Sequence, residues 1–310
     1  MPIDLQYDEA DSQFAASVRR LCGEWQRDAD TPPDGELDRA RWKLLADLGV
    51  LGLTTPEGGG TASTMAAVME ELGRAFVRGP LVATFAANQL LPDDERTAVG
   101  AGDAVVTVGS PPLIPSAPIA DLIIELEAGN AWLSVADGPI RSVETLAGEP
   151  WGRCALRRGL DLGPAADATA FANCALAAYV TGAGQALLDA AVAYARDRSQ
   201  FGRSIGEFQA VAHPLGECAI RLHAASVLTK LAAEALARGD ADRHQAAATA
   251  RVSASNASLA AAYQAHQTFG AMGFAEEGPV GTRSALIRQL TLLPPAPSEV
   301  RDAVLAGLVG

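Results

Sequence analysis

The stretch "RDRSQFGRSIGEFQ", residues 196–209, interrupts a long alanine- and leucine-rich tract and sets Arg196, Arg198 and Arg203 around the pair Phe201-Gly202. A fork-shaped cation, a flat apolar ring and a glycine turn so close together suit a ligand that joins a phosphate to an aromatic ring. The same residues would also serve as a solvated basic helix end. A second break, "HQTFGAMGF" at residues 266–274, offers close backbone approach through Gly270 and Gly273, with Gln267 as donor and acceptor. Two such breaks at the ends of neighbouring helices favour one shared ligand.

Outward from these breaks, the chain from about Ala165 reads as long helices, with a further interruption at "ARGDADRH". Phe208, Val211, Leu215 and Leu222 recur at heptad-like spacing, the pattern of a helical bundle. Upstream, "DAVVTVG", "DLIIELEA" and "AWLSVA" are β-prone runs, the last two joined by an expected two-residue turn at Gly129-Asn130. This segment, flanked by "SPPLIPSAP", is too short for a barrel of ordinary strands. Before it, Phe14, Val18, Leu21 and Trp25 mark an amphipathic helix over residues 8–28. A second helix, "DRARWKLLADLG", stops at Gly49, and a third, "STMAAVMEELGRAF", starts from a cap at Ser63 or Thr64. The expected organisation is mainly α with a small β segment: a helical domain over 1–100, a reduced β domain over 101–164, and a bundle over 165–310.

The totals exclude several classes. In 310 residues, 49% hydrophobic side chains suffice for a large core, and a formal net charge of −13 repels nucleic acid and anionic membrane surfaces. Cys22, Cys154, Cys174 and Cys218 have neither metal nor disulfide spacing and read as reduced thiols. The first residues lack the basic start and apolar run of a leader, and no 18-residue uncharged apolar stretch follows, which together point to the cytoplasm. His213, His223, His244 and His266 fall in no metal or nucleophile motif, and the GxG at Gly182 and Gly184 lies inside a helical pattern, where close helix packing explains it.

The two breaks, standing as Arg198-Ser199-Gln200-Phe201-Gly202 with Phe208-Gln209 and as residues 267–273, resemble the "RxxFG...FQ" and "Q..GG.G" signatures of the acyl-CoA dehydrogenase family. "RWKLLADLGVLGLTTPEGGG" and "VMEELGRAFVRGP" are similar to N-terminal segments of that family, in the same order. The resemblance implies a helical domain, a β domain and a four-helix bundle. It also implies FAD-dependent α,β-dehydrogenation of an acyl-CoA, with a glutamate taking the α proton. By the same resemblance Arg198, Phe201, Gln209, Gln267 and Gly270 touch the adenosine-diphosphate half of an FAD held mainly by a neighbouring subunit.

The chain departs from the family elsewhere. No "TEP..GSD" segment occurs over residues 102–160, and the place of the C-terminal catalytic glutamate falls on Pro294 or Pro295. The alternative glutamate position falls on Ala172, its neighbouring arginine on Asn173, and the family's "RDA" on Ala285-Leu286-Ile287. A general base needs a carboxylate within reach of the proton it removes. Expected, therefore, is a base-less short subunit of a heteromer, and its resemblance to the two-gene acyl-CoA dehydrogenases of steroid-degrading actinobacteria implies an α2β2 enzyme acting on a bulky, steroid-type acyl-CoA. A longer partner would carry the glutamate, and an electron-transfer flavoprotein would accept the electrons. The competing expectations are a homomeric enzyme using Glu276, Glu277 or Asp167 as base, and a scaffold that has lost flavin.

Overall fold

The computed structural model describes residues 7–25, 36–275 and 278–309. The first helix, α1 (Glu9–Trp25), buries Val18 and Cys22 and lays Phe14, Leu21 and Trp25 against the same core. In α2 (Arg39–Asp47) the cap is Asp38, whose carboxylate accepts the Arg41 N–H at 2.9 Å. The cap of α3 (Ala62–Arg74) is Thr61, not Ser63 or Thr64. The Thr61 hydroxyl accepts from the backbone N–H groups of Ser63 and Thr64, while the Thr64 hydroxyl accepts from Thr61 N at 3.0 Å. Thr64 is thus the return half of a capping box, a role open to any short acceptor three residues after the cap. Two short helices follow, α4 (Leu81–Ala87) and α5 (Asp93–Gly100).

The β segment is richer than its three apolar runs suggest. Strands β1 (Val106–Gly109), β2 (Leu113–Pro115), β3 (Leu122–Glu127), β4 (Asn130–Ala136), β5 (Arg141–Val143), β6 (Trp151–Arg153) and β7 (Leu156–Pro164) form two sheets. One has the order β1-β3-β4-β7, with β1 parallel to β3 and the other neighbours antiparallel; the second is β2-β6-β5, antiparallel throughout. The β3-β4 turn is Ala128-Gly129 rather than Gly129-Asn130, because Asn130 pairs with Glu127. Both turn residues have positive φ, 50° and 82°, as a hairpin turn matched to strand twist requires.

The bundle comprises α6 (Ala166–Asp197), α7 (Gln209–Arg238) and α8 (Arg243–Phe269), joined by a small hairpin of β8 (Ser199–Gln200) and β9 (Arg203–Ser204). Two shorter helices complete it: α9 (Gly281–Leu290), against α6 and α8, and α10 (Pro297–Val309), against α8. Asn173 meets Arg251 and Val180 meets Ser258, so α6 and α8 run parallel, while Cys174 against Thr229 and Gly184 against Leu222 set α7 antiparallel. Alanine lines these contacts, which lets the helices approach closely.

The approach is closest where α3 crosses α6. A Cβ on Gly73 would lie 2.0 Å from the Tyr179 carbonyl oxygen, and one on Gly182 would lie 2.0 Å from that of Glu70. A Cβ on Gly184 would stand 2.9 Å from Leu222 and 3.0 Å from Ser258. Helix packing thus accounts for the GxG. Among the described residues α6 is long and apolar enough to cross a membrane, but 72% of its apolar window is buried inside the protein.

Candidate functional site

The sequence breaks at 196–209 and 266–274 meet at one end of the bundle. Helix α6 ends as the Arg198 N–H donates to the Tyr194 carbonyl at 2.9 Å and the chain turns extended. The hairpin pairs Ser199 with Ser204 and Gln200 with Arg203, leaving Phe201 and Gly202 as the turn at φ 54° and 81°. It is fastened back by Ile205 N to Arg198 O at 2.8 Å and by the Ser204 hydroxyl to Ala195 O at 2.7 Å. Helix α8 arrives beside it, because Phe269 stacks on Tyr194 with ring centroids 4.4 Å apart. Gly270 then ends α8 at φ 60° and ψ −132°.

This end is open. Phe201 is 93% exposed, and Arg198, Gln209, Gln267 and Gly270 are all exposed. Among the described residues no carboxylate pairs with Arg196, Arg198 or Arg203, although acids outnumber bases in the chain by 37 to 24. A non-glycine residue in the left-handed region costs about 1–2 kcal/mol, so Phe201 is an exposed aromatic held in a strained turn. The other two-residue hairpin, Ala128-Gly129, has nearly the same φ pair, so the turn type accounts for it, and exposure is what sets Phe201 apart.

The other positions singled out in the sequence face a cleft between α4, both sheets, the start of α6 and the linker after α9. Val82, Ala86, Trp151, Ala172, Pro294 and Pro295 help line it, and its volume is about 50 Å³. Both positions where a base was sought, Ala172 and Pro294-Pro295, therefore share one cavity, and neither carries a proton acceptor.

The carboxylate that lines the cleft is Glu149, which sequence reasoning missed because it stands in no motif. Its side chain is 8% exposed, and the Arg78 guanidinium lies 3.2 Å away while also donating to Ala147 O at 2.7 Å. A buried acid beside a guanidinium is the usual form of a structural ion pair.

Behind the cleft, Arg251 of α8 is 2% exposed. It donates to Asn173 Oδ1 at 2.8 Å, to Pro295 O at 2.8 Å and to Leu293 O, tying the linker to α6. Burial lowers its pKa to about 10. Leu286 and Ile287, where the family "RDA" would end, are fully packed at 2% and 0% exposure.

Asp167 is engaged elsewhere: Arg243 Nε lies 2.8 Å and His244 Nε2 2.7 Å from its Oδ1. Those hydrogen bonds, Arg243's first, hold its pKa below the usual carboxylate range, a poor state for a base. Glu276 and Glu277 lie outside the described residues.

The family models described as "Acyl-CoA dehydrogenase, N-terminal domain" and "Acyl-CoA dehydrogenase, C-terminal domain" match residues 8–92 and 165–293. The chain is 31% identical over 280 residues to Acyl-CoA dehydrogenase IpdE2 of Mycobacterium tuberculosis (strain ATCC 25618 / H37Rv), covering 85% of each protein.

Among solved structures, a chain of the ChsE4-ChsE5 complex from Mycobacterium tuberculosis superposes with a TM-score of 0.84 at 22% identity, covering 99% of both chains. A chain of the Tcur3481-Tcur3483 steroid ACAD G363A variant gives 0.83 at 22% identity, over 98% of this chain and 100% of that one. With both helical parts matched in order and one relative aligned over most of its length, the chain belongs to the acyl-CoA dehydrogenase family.

Proposed function

We propose that this chain is the short, base-less subunit of a heteromeric, FAD-dependent acyl-CoA dehydrogenase, arranged as α2β2, and that its chemistry serves a partner's active site. In that assembly Arg198 faces the cofactor diphosphate, Phe201 lies against the adenine side, and Gln209, Gln267 and Gly270 border the adenosine half. A longer, family-related partner contributes the catalytic glutamate, and an electron-transfer flavoprotein takes the electrons. FAD, when bound, accepts the hydride from the substrate β carbon. The three-part division at 1–100, 101–164 and 165–310 belongs to the same reading.

The observation that carries the proposal is the contrast between two places on the chain. The bundle end offers guanidinium groups without carboxylate partners among the described residues and an exposed ring, which fits an adenine-diphosphate edge. The chain's own cleft presents Ala172 and Pro294-Pro295 at the two base positions, and its carboxylate, Glu149, is held by Arg78. A bulky, steroid-type acyl-CoA is the proposed substrate class. It is supported by a homologous fold in a complex described as a steroid ACAD.

The test is co-purification with the longer subunit, followed by Arg198→Ala. A charge-assisted hydrogen bond contributes about 1.5–3 kcal/mol, so the variant complex retains FAD roughly 10- to 100-fold less tightly. Unchanged flavin content, or robust acceptor reduction by the isolated chain, overturns the reading.

One observation favours a second reading, a homomeric enzyme with its own base: Glu149 is a carboxylate inside the cleft. That enzyme would turn over as the isolated chain and lose activity on Glu149→Gln.

A further inference from the structure

Arg203 does something at the bundle end that an anion contact does not require. Its guanidinium carbon lies 4.0 Å from the centroid of the Phe208 ring. Phe208 in turn meets Phe201 edge-on, with centroids 6.1 Å apart and planes at 85°. At 93% exposure Phe201 has no core packing to fix its ring, so Phe208 is the aromatic neighbour against which it can be set. Arg203 pairs with Gln200 across the hairpin, yet its side chain reaches to the residue that caps α7. The chain Arg203, Phe208, Phe201 therefore connects the second hairpin strand to the tip through two ring contacts.

We propose that Arg203 is a positioning residue: it clamps the Phe208 ring, and Phe208 presets Phe201 so that its flat face meets the purine ring of a nucleotide cofactor held by a neighbouring subunit. The inference rests on the shared-FAD reading above. Two arginines five residues apart thus have separate tasks. Arg198 has no carboxylate partner among the described residues and addresses the phosphates, whereas Arg203 directs its charge onto a ring and acts through it. A preset ring reduces the ordering that binding must otherwise impose.

The test is a double-mutant cycle on the co-purified complex, reading the rate of FAD release by flavin fluorescence after dilution. An exposed cation–π contact corresponds to about a fivefold effect. Arg203→Ala therefore releases FAD about fivefold faster, and Phe208→Ala does likewise. The double variant is no faster than the quicker single, because both substitutions remove the same prop. Arg203→Lys, which keeps a cation over the ring, recovers part of the loss.

A second readout needs no cofactor: in the isolated chain, Arg203→Ala speeds amide exchange across residues 199–208. Arg198→Ala separates the two ideas. If it accelerates release while Arg203→Ala leaves release unchanged, or if the cycle is additive, the positioning role is overturned and the shared-FAD reading stands. If Arg198→Ala is without effect, the shared-FAD reading itself falls, and this inference with it.

Discussion

The bundle end and the cleft use the same residue types to opposite ends. In the cleft region, Arg251 is buried and hydrogen-bonded to Asn173 and two linker carbonyls, and Arg78 is joined to Glu149. At the bundle end, Arg198 and Phe201 stand in solvent, Arg198 without a carboxylate partner among the described residues and Phe201 at 93% exposure. Buried polar groups must be satisfied from within, whereas exposed ones can wait for a partner. The difference teaches where this chain leaves charged and aromatic groups unused by its own fold: at the bundle end, and not in the cleft.

The comparison breaks most readily at the arginines. Arg251→Met leaves Asn173 Oδ1 and two carbonyls without their donor, a loss of about 3–5 kcal/mol. Calorimetry then shows the melting temperature falling by at least about 6 °C. Arg198→Met, on the surface, stays within about 0.5 kcal/mol of the parent. Equal losses for the two would erase the distinction.

Next in size is Ala172→Glu, which returns a carboxylate to a position 8% exposed. It costs about 1–3 kcal/mol and, under the proposed shared-FAD reading, gives the isolated chain no power to reduce an acceptor. Acceptor reduction by that variant would count against that reading.

Phe201→Asn sharpens the contrast from the other side. Asparagine tolerates the left-handed region, so the isolated chain gains about 0.5–1 kcal/mol, while the complex holds FAD less well. A variant that is both less stable and equally retentive would show that the ring serves the fold.

Smallest is Asp167→Asn. The Asp167 pKa is depressed by Arg243 and His244, so its stabilisation is present above the unfolded value near 3.8 and lost as pH falls through the lower folded value. The carboxylate is 56% exposed, so the effect at neutral pH is slight. The difference in melting temperature between parent and variant should fade as pH drops below 3.8, with turnover of the complex unchanged throughout.

Much of this layout was legible in the sequence, because helix breaks are local. Residues 196–209 announce their turn through glycine and charge, and the helical spacing of Phe14, Val18, Leu21 and Trp25 declares α1. The β segment was harder. Strand β7, "LRRGLDLGP", is an edge strand with charged residues and little burial, so it lacks the apolar alternation that marks a strand. Strands β2, β5 and β6 are three residues each and exist by pairing with one another.

The cleft was half legible. Ala172 and Pro294-Pro295 were placed by resemblance, but nothing local marks Glu149 or Arg251. Their roles depend on partners 71 residues away at Arg78 and 78 residues away at Asn173. Contacts of that range are written in the tertiary structure, not in any window of sequence.

The crossing of α3 and α6 acts as a spacer of fixed thickness. With Gly73 against one carbonyl and Gly182 against another, two main chains touch and no methyl group fits between them. Either glycine changed alone would prise the helices apart. Variation in this chain is therefore channelled away from the crossing and toward the hairpin and helix ends, where a side chain can change without moving a backbone.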